Sequence, residues 1–167
     1  MGIAIGEKTE LSLTMAGESL NRMLVGAHLD CFSVSSITVS LRFINDGAFP
    51  GISLYVDNDF SCGAVMRGGD NLVMENSVGG FFTKRAKFLS GVYSCIGKEV
   101  TKVNLSFDGS LSISVGDSVI AMQLEKEDKE QEDYVWKVEM EAPAGHLVSE
   151  VNSVMCVPND GGVKFLS

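Results

Sequence analysis

The sequence predicts an α+β fold, mainly antiparallel β, arranged as a curved meander or a two-layer sandwich with an N-terminal amphipathic helix. Apolar and polar residues alternate in several short runs, which is the period of strands that cover one core. Turn-forming residues separate these runs, and the 167-residue chain contains 18 glycines. One early segment changes to the three- and four-residue spacing that is typical of a helix packed on a core.

The clearest strand pattern lies between Lys102 and Met140 and predicts a four-strand antiparallel meander. A slip of one residue would turn every side chain to the opposite face, so the length of each turn must preserve the apolar row. A two-residue loop at Asp108-Gly109 would put the apolar rows on opposite faces. We therefore expect a three-residue loop at Asp108–Ser110, with Phe107 opposite Leu111.

The second turn of the meander is short, and the segment after its third strand is highly charged. A two-residue loop at Gly116-Asp117 places Ile113 opposite Ile120 and keeps one face apolar. The third strand then leads into Glu125–Asp133, where six of nine residues are acidic and two are basic. A run with this much charge stays in water. It is therefore predicted to form a solvated tip between the last two strands of the meander.

The helical spacing extends from about Met15 to Leu29, with Thr14 as the expected N-cap. Its repeating apolar positions are Ala16, Leu20, Met23, Leu24 and Ala27. The other expected elements are a short strand within residues 1–13 and strands at 31–44, 52–56, 62–66, 72–74, 92–96 and 148–157. The strands at 31–44 and 52–56 are expected to form a hairpin with a long loop, and a turn is expected at Asn159–Gly162 after the last strand. Residues 81–89 fit a short helix that ends near Gly91, or a twisted strand.

Length and composition indicate one domain over residues 1–167. The net charge is −9, which disfavours nucleic acid, because nonspecific binding to nucleic acid needs Lys and Arg to neutralise phosphates. It favours a basic protein partner instead. The segment Arg67–Lys102 forms a basic island, with six basic and three acidic residues. This uneven distribution of charge suits a protein interface that has both an acidic and a basic patch, although ordinary solubilising charge explains it as well.

No catalytic or metal-binding motif is present, so we expect no cofactor, no metal and no enzymatic activity. The two histidines, His28 and His146, have no partner at a metal-ligand spacing. His28 is expected in the last turn of the helix. The four cysteines are scattered, without a CxxC pair, which is typical of a reduced cytosolic protein. Neither a secretory signal nor a membrane-length apolar run is evident, so a cytoplasmic location without membrane contact is expected.

This profile of small size, acidity and missing motifs resembles the immunity proteins of bacterial toxin–immunity pairs, including those of contact-dependent growth inhibition. The resemblance covers the whole chain but depends on no diagnostic motif. It implies tight neutralisation of a cognate toxin domain, usually a basic nuclease, by covering its active-site cleft. The oligomeric state, the identity of the toxin and the site of inhibition stay open.

The expected partner-binding residues all lie in or beside the acidic tip: Glu127, Asp128, Glu130, Glu132, Asp133 and Tyr134. The carboxylates would speed encounter with a basic partner, and Tyr134 would serve as an aromatic anchor. Three alternatives stand beside this hypothesis. The tip is a plain solvated loop; the chain is a β-rich module that binds a small ligand or has a structural role; or it is a small hydrolase that pairs a histidine with a Cys or Asp.

Overall fold

The structure is a computed structural model that describes residues 8–35, 38–45, 51–56, 61–64, 81–124, 133–141, 151–159 and 162–167, with 61–64 and 81–85 described as backbone only. These residues form two helices, α1 (Leu13–Leu24) and α2 (Phe81–Tyr93). They also form eleven strands: β1 (Glu10–Leu11), β2 (His28–Ser35), β3 (Thr38–Ile44), β4 (Ile52–Val56), β5 (Ser61–Ala64), β6 (Val100–Leu105), β7 (Leu111–Val115), β8 (Ser118–Met122), β9 (Trp136–Met140), β10 (Ser153–Asn159) and β11 (Gly162–Leu166).

The strands form two antiparallel sheets, in agreement with the predicted α+β class. The seven-stranded sheet has the order β1-β11-β10-β9-β4-β3-β2, and the four-stranded sheet has the order β5-β8-β7-β6. Every pairing between named strands in the described residues is antiparallel. Buried residues of both sheets and of both helices belong to one hydrophobic cluster, so the two sheets share a core.

The seven-stranded sheet carries its core residues in continuous cross-strand rows. In one such row Leu41 lies opposite Leu54, which lies opposite Val138, which lies opposite Val154. All four of these side chains are fully buried. The pairing of β3 with β4 confirms the predicted hairpin, and the alternation in the sequence correctly identified its inward residues.

The predicted four-strand meander is only partly correct. The register of β7 and β8 is confirmed, with Ile113 opposite Ile120. The fourth strand, β9, leaves the four-stranded sheet and pairs with β4 and β10 in the larger one. The acidic segment therefore connects two different sheets. Because this connection is long, β9 does not have to pair with the preceding strand, β8. Only short connections force consecutive strands to pair.

The turn between β6 and β7 also differs from the prediction. Leu105, not Phe107, is the last apolar residue of β6, and it pairs with Leu111. The Ser106 N–H donates to the Ser110 carbonyl at 2.9 Å, so the three loop residues are 107–109. The loop has the expected odd length but begins one residue earlier. Gly109 then occupies the last loop position, with φ +90°, which is where a three-residue hairpin loop requires a left-handed residue.

Helix α1 begins earlier and ends earlier than the periodicity indicates. Its N-cap is Ser12 rather than Thr14, and the Ser12 hydroxyl accepts a hydrogen bond from the Met15 N–H at 3.2 Å. The helix ends at Leu24, so His28 lies in β2 and not in a helical turn. Asn21 Nδ2 donates to the Val103 carbonyl at 3.2 Å. This contact binds the helix to the outer edge of β6.

Three other expectations need correction or completion. The expected strand at 92–96 is wrong, because α2 continues to Tyr93 and a turn follows. The single strand expected from 31 to 44 is a hairpin of β2 and β3. Strand β11 was not predicted, although its turn at Asn159–Gly162 was. The expected strand at 72–74 lies outside the described residues.

Two junctions connect the sheets. At one junction the chain before β6 pairs with the start of β2, where Gly97 N–H donates to Leu29 O at 2.7 Å and Val100 N–H donates to Ala27 O at 2.7 Å. At the other, the indole Nε1–H of Trp136 in β9 donates to the Gly109 carbonyl at 2.8 Å. Trp136 is fully buried, so this second hydrogen bond lies inside the core.

Gly109 is fitted closely into the second junction. A Cβ at this position would lie 2.8 Å from Cys156 Sγ and 3.0 Å from Leu124 Cδ2. We expect Gly109→Ala to lower the free energy of unfolding by about 1–3 kcal/mol, because the substitution combines a left-handed backbone with a steric clash. Urea denaturation followed by circular dichroism measures the change.

Gly17→Ala is the matched control. Gly17 lies inside α1, and a Cβ there meets no atom within 4 Å. This substitution should raise the free energy of unfolding by about 0.4–1 kcal/mol through helix propensity and reduced freedom of the unfolded chain. Equal effects of the two substitutions would contradict the tight fit at Gly109.

Candidate functional site

The structure describes two of the six expected partner-binding residues. Asp133 is exposed, and its Oδ1 accepts a hydrogen bond from the Tyr134 N–H at 2.9 Å. Tyr134 is half-buried. The other four, Glu127, Asp128, Glu130 and Glu132, lie outside the described residues. The structure therefore describes the residues at the two ends of the acidic segment. These residues show where the segment joins the rest of the protein.

Both ends of the acidic segment meet at the same point. Leu124, the residue before the segment, packs against Gly109. After the segment, Val135 N–H donates to Cys156 O at 2.9 Å, which extends the pairing of β9 with β10. The next residue, Trp136, donates its indole hydrogen bond to Gly109. Gly109 of the β6–β7 turn therefore contacts residues on both sides of the acidic segment, Leu124 before it and Trp136 after it.

Phe107 is the most unusual side chain near this point. It is 85% exposed, two residues before Gly109 in the same turn. The neighbouring Asp108 is half-buried, and its Oδ1 accepts from the Ser110 N–H at 3.0 Å. This hydrogen bond and the Gly109 N–H to Ser106 O bond of 3.0 Å close the turn. A rigid turn therefore presents a phenyl ring to solvent.

We name the region formed by Phe107, Asp108, Asp133 and Tyr134 the junction surface. Asp133 precedes Trp136 by three residues and Phe107 precedes Gly109 by two. Asp133 is therefore at most about 10 Å of extended chain from Trp136, and Phe107 is closer than that to Gly109. The described part of this surface combines an exposed aromatic ring with the carboxylates of Asp108 and Asp133, and Asp133 is the last residue of the acidic segment.

Sequence reasoning did not select Phe107 as a candidate site residue. It placed Phe107 in the apolar row of β6, because either three-residue loop keeps that row on one face. A different signal was available, namely that Gly109 is the natural last residue of such a loop. Applied to Phe107-Asp108-Gly109, that rule moves the phenylalanine from the strand to the tip of the turn.

The residues considered for catalysis do not form a nucleophilic site in the described part of the chain. His28 lies at the start of β2, where its buried Nδ1 finds no hydrogen-bond partner among the described residues. His146 lies outside them. Cys95 and Cys156 are buried, whereas Cys31 is exposed. Within the described ranges, no three His, Cys, Asp or Glu side chains are grouped as metal ligands would be.

Comparison with known proteins identifies no relative: no family model, no curated protein and no solved structure matches this chain. Neither helix of the described residues is long and apolar enough to cross a membrane.

Cys31 is the exposed cysteine of the described part, and its environment makes it a weak nucleophile. Partial burial raises the pKa of the Cys31 thiol above its ordinary value, and the neighbouring carboxylate of Asp30 raises it further, while Arg42 acts in the opposite direction. The thiolate is the reactive form of cysteine. At neutral pH the raised pKa therefore keeps Cys31 in the unreactive thiol form.

We expect Cys31 to react slowly with a disulfide reagent at pH 7, and its rate to rise as the pH approaches the raised pKa. Asp30→Asn should lower that pKa and increase the rate at neutral pH. The reaction is followed by absorbance in a Cys62→Ser background, with the buried Cys95 and Cys156 as internal controls. A rate at pH 7 equal to that of a free thiol, unchanged by Asp30→Asn, would contradict this description.

Proposed function

We propose that this chain is a non-catalytic binding protein whose junction surface contacts a basic protein partner. The observation that supports the proposal is that Phe107, 85% exposed, lies in the turn whose Gly109 contacts Leu124 and Trp136. These two residues flank a segment in which six of nine residues are acidic. Protein interfaces combine a few apolar anchors with surrounding charge. The junction surface brings both components together on an anchored turn.

The acidic segment would act mainly on the rate of association. The whole chain carries a net charge of −9, and the segment concentrates negative charge in one place. Such a field attracts a basic partner over roughly the Debye length, which is about 8 Å at physiological salt. Complementary charge of this kind raises the association rate and makes it dependent on salt.

Phe107 would act mainly on the lifetime of the complex. Burying a phenylalanine side chain contributes about 1.5–3 kcal/mol relative to leaving it in water. A monomer gains nothing from a ring that is exposed to this degree. The turn is fixed by the hydrogen bonds of Asp108 and Gly109, so little entropy is lost when the ring enters a pocket on the partner.

The immunity-protein resemblance supplies the specific form of this proposal. The partner is a toxin domain, and a basic nuclease is the best fit to an acidic inhibitor. The carboxylates at Glu127, Asp128, Glu130, Glu132 and Asp133 occupy the cleft that otherwise binds phosphates. Phe107 and Tyr134 pack at the side of that cleft. Nucleic acid is then excluded by charge competition and by occupied volume.

Two sets of substitutions separate these roles. Replacing the five carboxylates with Ser should slow association and flatten its salt dependence, because less charge attracts the partner. Phe107→Ser should leave the association rate within a few-fold and raise the dissociation rate about tenfold or more. The probe is the protein encoded by the gene next to that of this chain in its genome, and surface plasmon resonance at several salt concentrations measures both rates.

Tyr93→Ser is the control for Phe107→Ser, since Tyr93 is 70% exposed at the end of α2. Neither substitution should change the free energy of unfolding by more than about 0.5 kcal/mol. If the neighbouring protein binds with rates that none of these substitutions changes, the junction surface is not the interface. If it fails to bind the wild-type chain, or is not a toxin domain, the immunity proposal is wrong.

A further inference from the structure

Strand β2 forms one edge of the seven-stranded sheet. Its first part is covered, because the Leu29 N–H donates to the Lys98 carbonyl at 3.1 Å and the Gly97 N–H donates to the Leu29 carbonyl at 2.7 Å. Beyond the irregularity between Leu29 and Cys31, no other described strand lies on the outer side of β2. Residues 31–35 therefore form an open sheet edge in the described part of the chain.

The pairing of the neighbouring strands shows which backbone groups of this edge point outward. In an antiparallel sheet, the N–H and C=O of one residue point to one neighbouring strand, and those of the next residue point to the other. The Glu141 N–H donates to the Gly51 carbonyl at 2.9 Å, which sets this alternation for the sheet. Carried through the registers of β9, β4, β3 and β2, it directs the groups of Ser33 toward β3. Those of Phe32 and Val34 point outward, so the open edge offers two N–H groups and two carbonyls.

The side chains of the same two residues lie at the end of buried apolar rows. Phe32 pairs with Leu41, and Val34 pairs with Val39. Leu41 and Val39 are fully buried, and paired residues point to the same face of a sheet. Phe32 is half-buried against the core, and Val34 is 45% exposed. The core-facing side of the sheet is therefore incomplete at β2, where apolar surface remains in contact with water.

The outer edge of β6 in the smaller sheet is protected in a way that the β2 edge is not. The Val103 carbonyl accepts from Asn21 Nδ2 at 3.2 Å. The Val100 carbonyl accepts from the Gly26 N–H at 2.9 Å. Natural sheets protect their edges with such contacts, with charges or with proline, because open edges pair with other chains. Residues 31–35 contain neither a charged residue nor a proline, so within the described residues this edge has none of these protections.

We propose that β2 pairs antiparallel with β2 of a second copy of this chain, with the two-fold axis at Ser33. A two-fold interface is self-complementary, and this axis places Phe32 of each copy opposite Val34 of the other. These are the two residues whose backbone groups point outward, so four hydrogen bonds from N–H to carbonyl form across the axis. The same register packs each Phe32 ring beside a Val34 side chain, which continues the apolar rows of both sheets through the interface.

The charge of the chain supports pairing at this edge. A net charge of −9 makes two copies repel each other over most of their surface, but the paired stretch is neutral. The charged residue next to this stretch is Asp30. In the proposed register the two Asp30 residues lie about six positions apart along the strands, which is about 20 Å. This separation exceeds the Debye length of about 8 Å at physiological salt, so the two carboxylates do not oppose the pairing.

This edge is separate from the junction surface. Strands β3 and β4 lie between β2 and β9 in the sheet, so β2 lies about 14 Å from β9. The inference does not depend on the proposed function, and failure of one leaves the other unaffected.

Analytical ultracentrifugation of the full chain between about 5 and 500 µM tests the pairing. We expect reversible association to twice the mass of one chain. The dissociation constant should be roughly 10–100 µM, because the paired edges are short and small interfaces are weak. Raising the salt from about 50 to 300 mM should strengthen the association, since salt screens the repulsion between two acidic copies. A chain that stays monomeric at about 500 µM, or a dimer that weakens in salt, would overturn the proposal.

A charge swap at Ser33 tests the register, because Ser33 faces its own counterpart across the axis. Ser33 is exposed, so Ser33→Lys and Ser33→Glu should fold normally. Each should weaken self-association about fivefold or more, since two like charges then lie directly opposite each other. An equimolar mixture of the two variants should associate more tightly than either variant alone, because Lys then lies opposite Glu.

Thr101→Lys is the matched control for Ser33→Lys. It changes the net charge by the same amount at an exposed position of β6, and it should leave the dissociation constant within about twofold. Self-association that the Ser33 substitutions do not change would show that the copies meet elsewhere. Association that the mixture does not restore would show that Ser33 does not lie on the axis. Either result would overturn the proposal.

Discussion

The hydrogen bond from the Trp136 indole to the Gly109 carbonyl is the contact on which the arrangement of the chain depends. It joins the central region of the larger sheet to the β6–β7 turn of the smaller one at 2.8 Å. Cys156 of β10 pairs with Trp136 of β9, and Phe165 of β11 pairs with Cys156. The turn is therefore packed against three successive strands. A polar bond inside a core is favourable only because both of its groups are satisfied.

The same contact explains why a highly charged segment and an exposed aromatic ring occur together. The acidic segment joins β8 to β9 in the sequence, and the residues that flank it, Leu124 and Trp136, both contact Gly109. The turn that supplies Gly109 also carries Phe107. The contact that joins the sheets thus attaches residues at both ends of the acidic segment to the turn that carries Phe107.

Sequence periodicity predicted which residues of most strands face the core, and the register of β7 with β8, because alternation and turn length determine both. It did not predict that β9 changes sheets, since alternation gives the inward residues of a strand but not its neighbours. Phe107 was misplaced because two loops of the same length satisfy the same apolar row.

Hydrogen exchange at the Trp136 indole N–H tests the central contact most directly. The chain has one tryptophan, so its indole proton gives a single resonance in a two-dimensional NMR spectrum. A buried donor bonded to Gly109 should exchange only when the core opens, as slowly as the most protected amides of β9 and β10. Exchange within minutes, at the rate of a solvent-exposed indole, would show that the two sheets are not joined at this point.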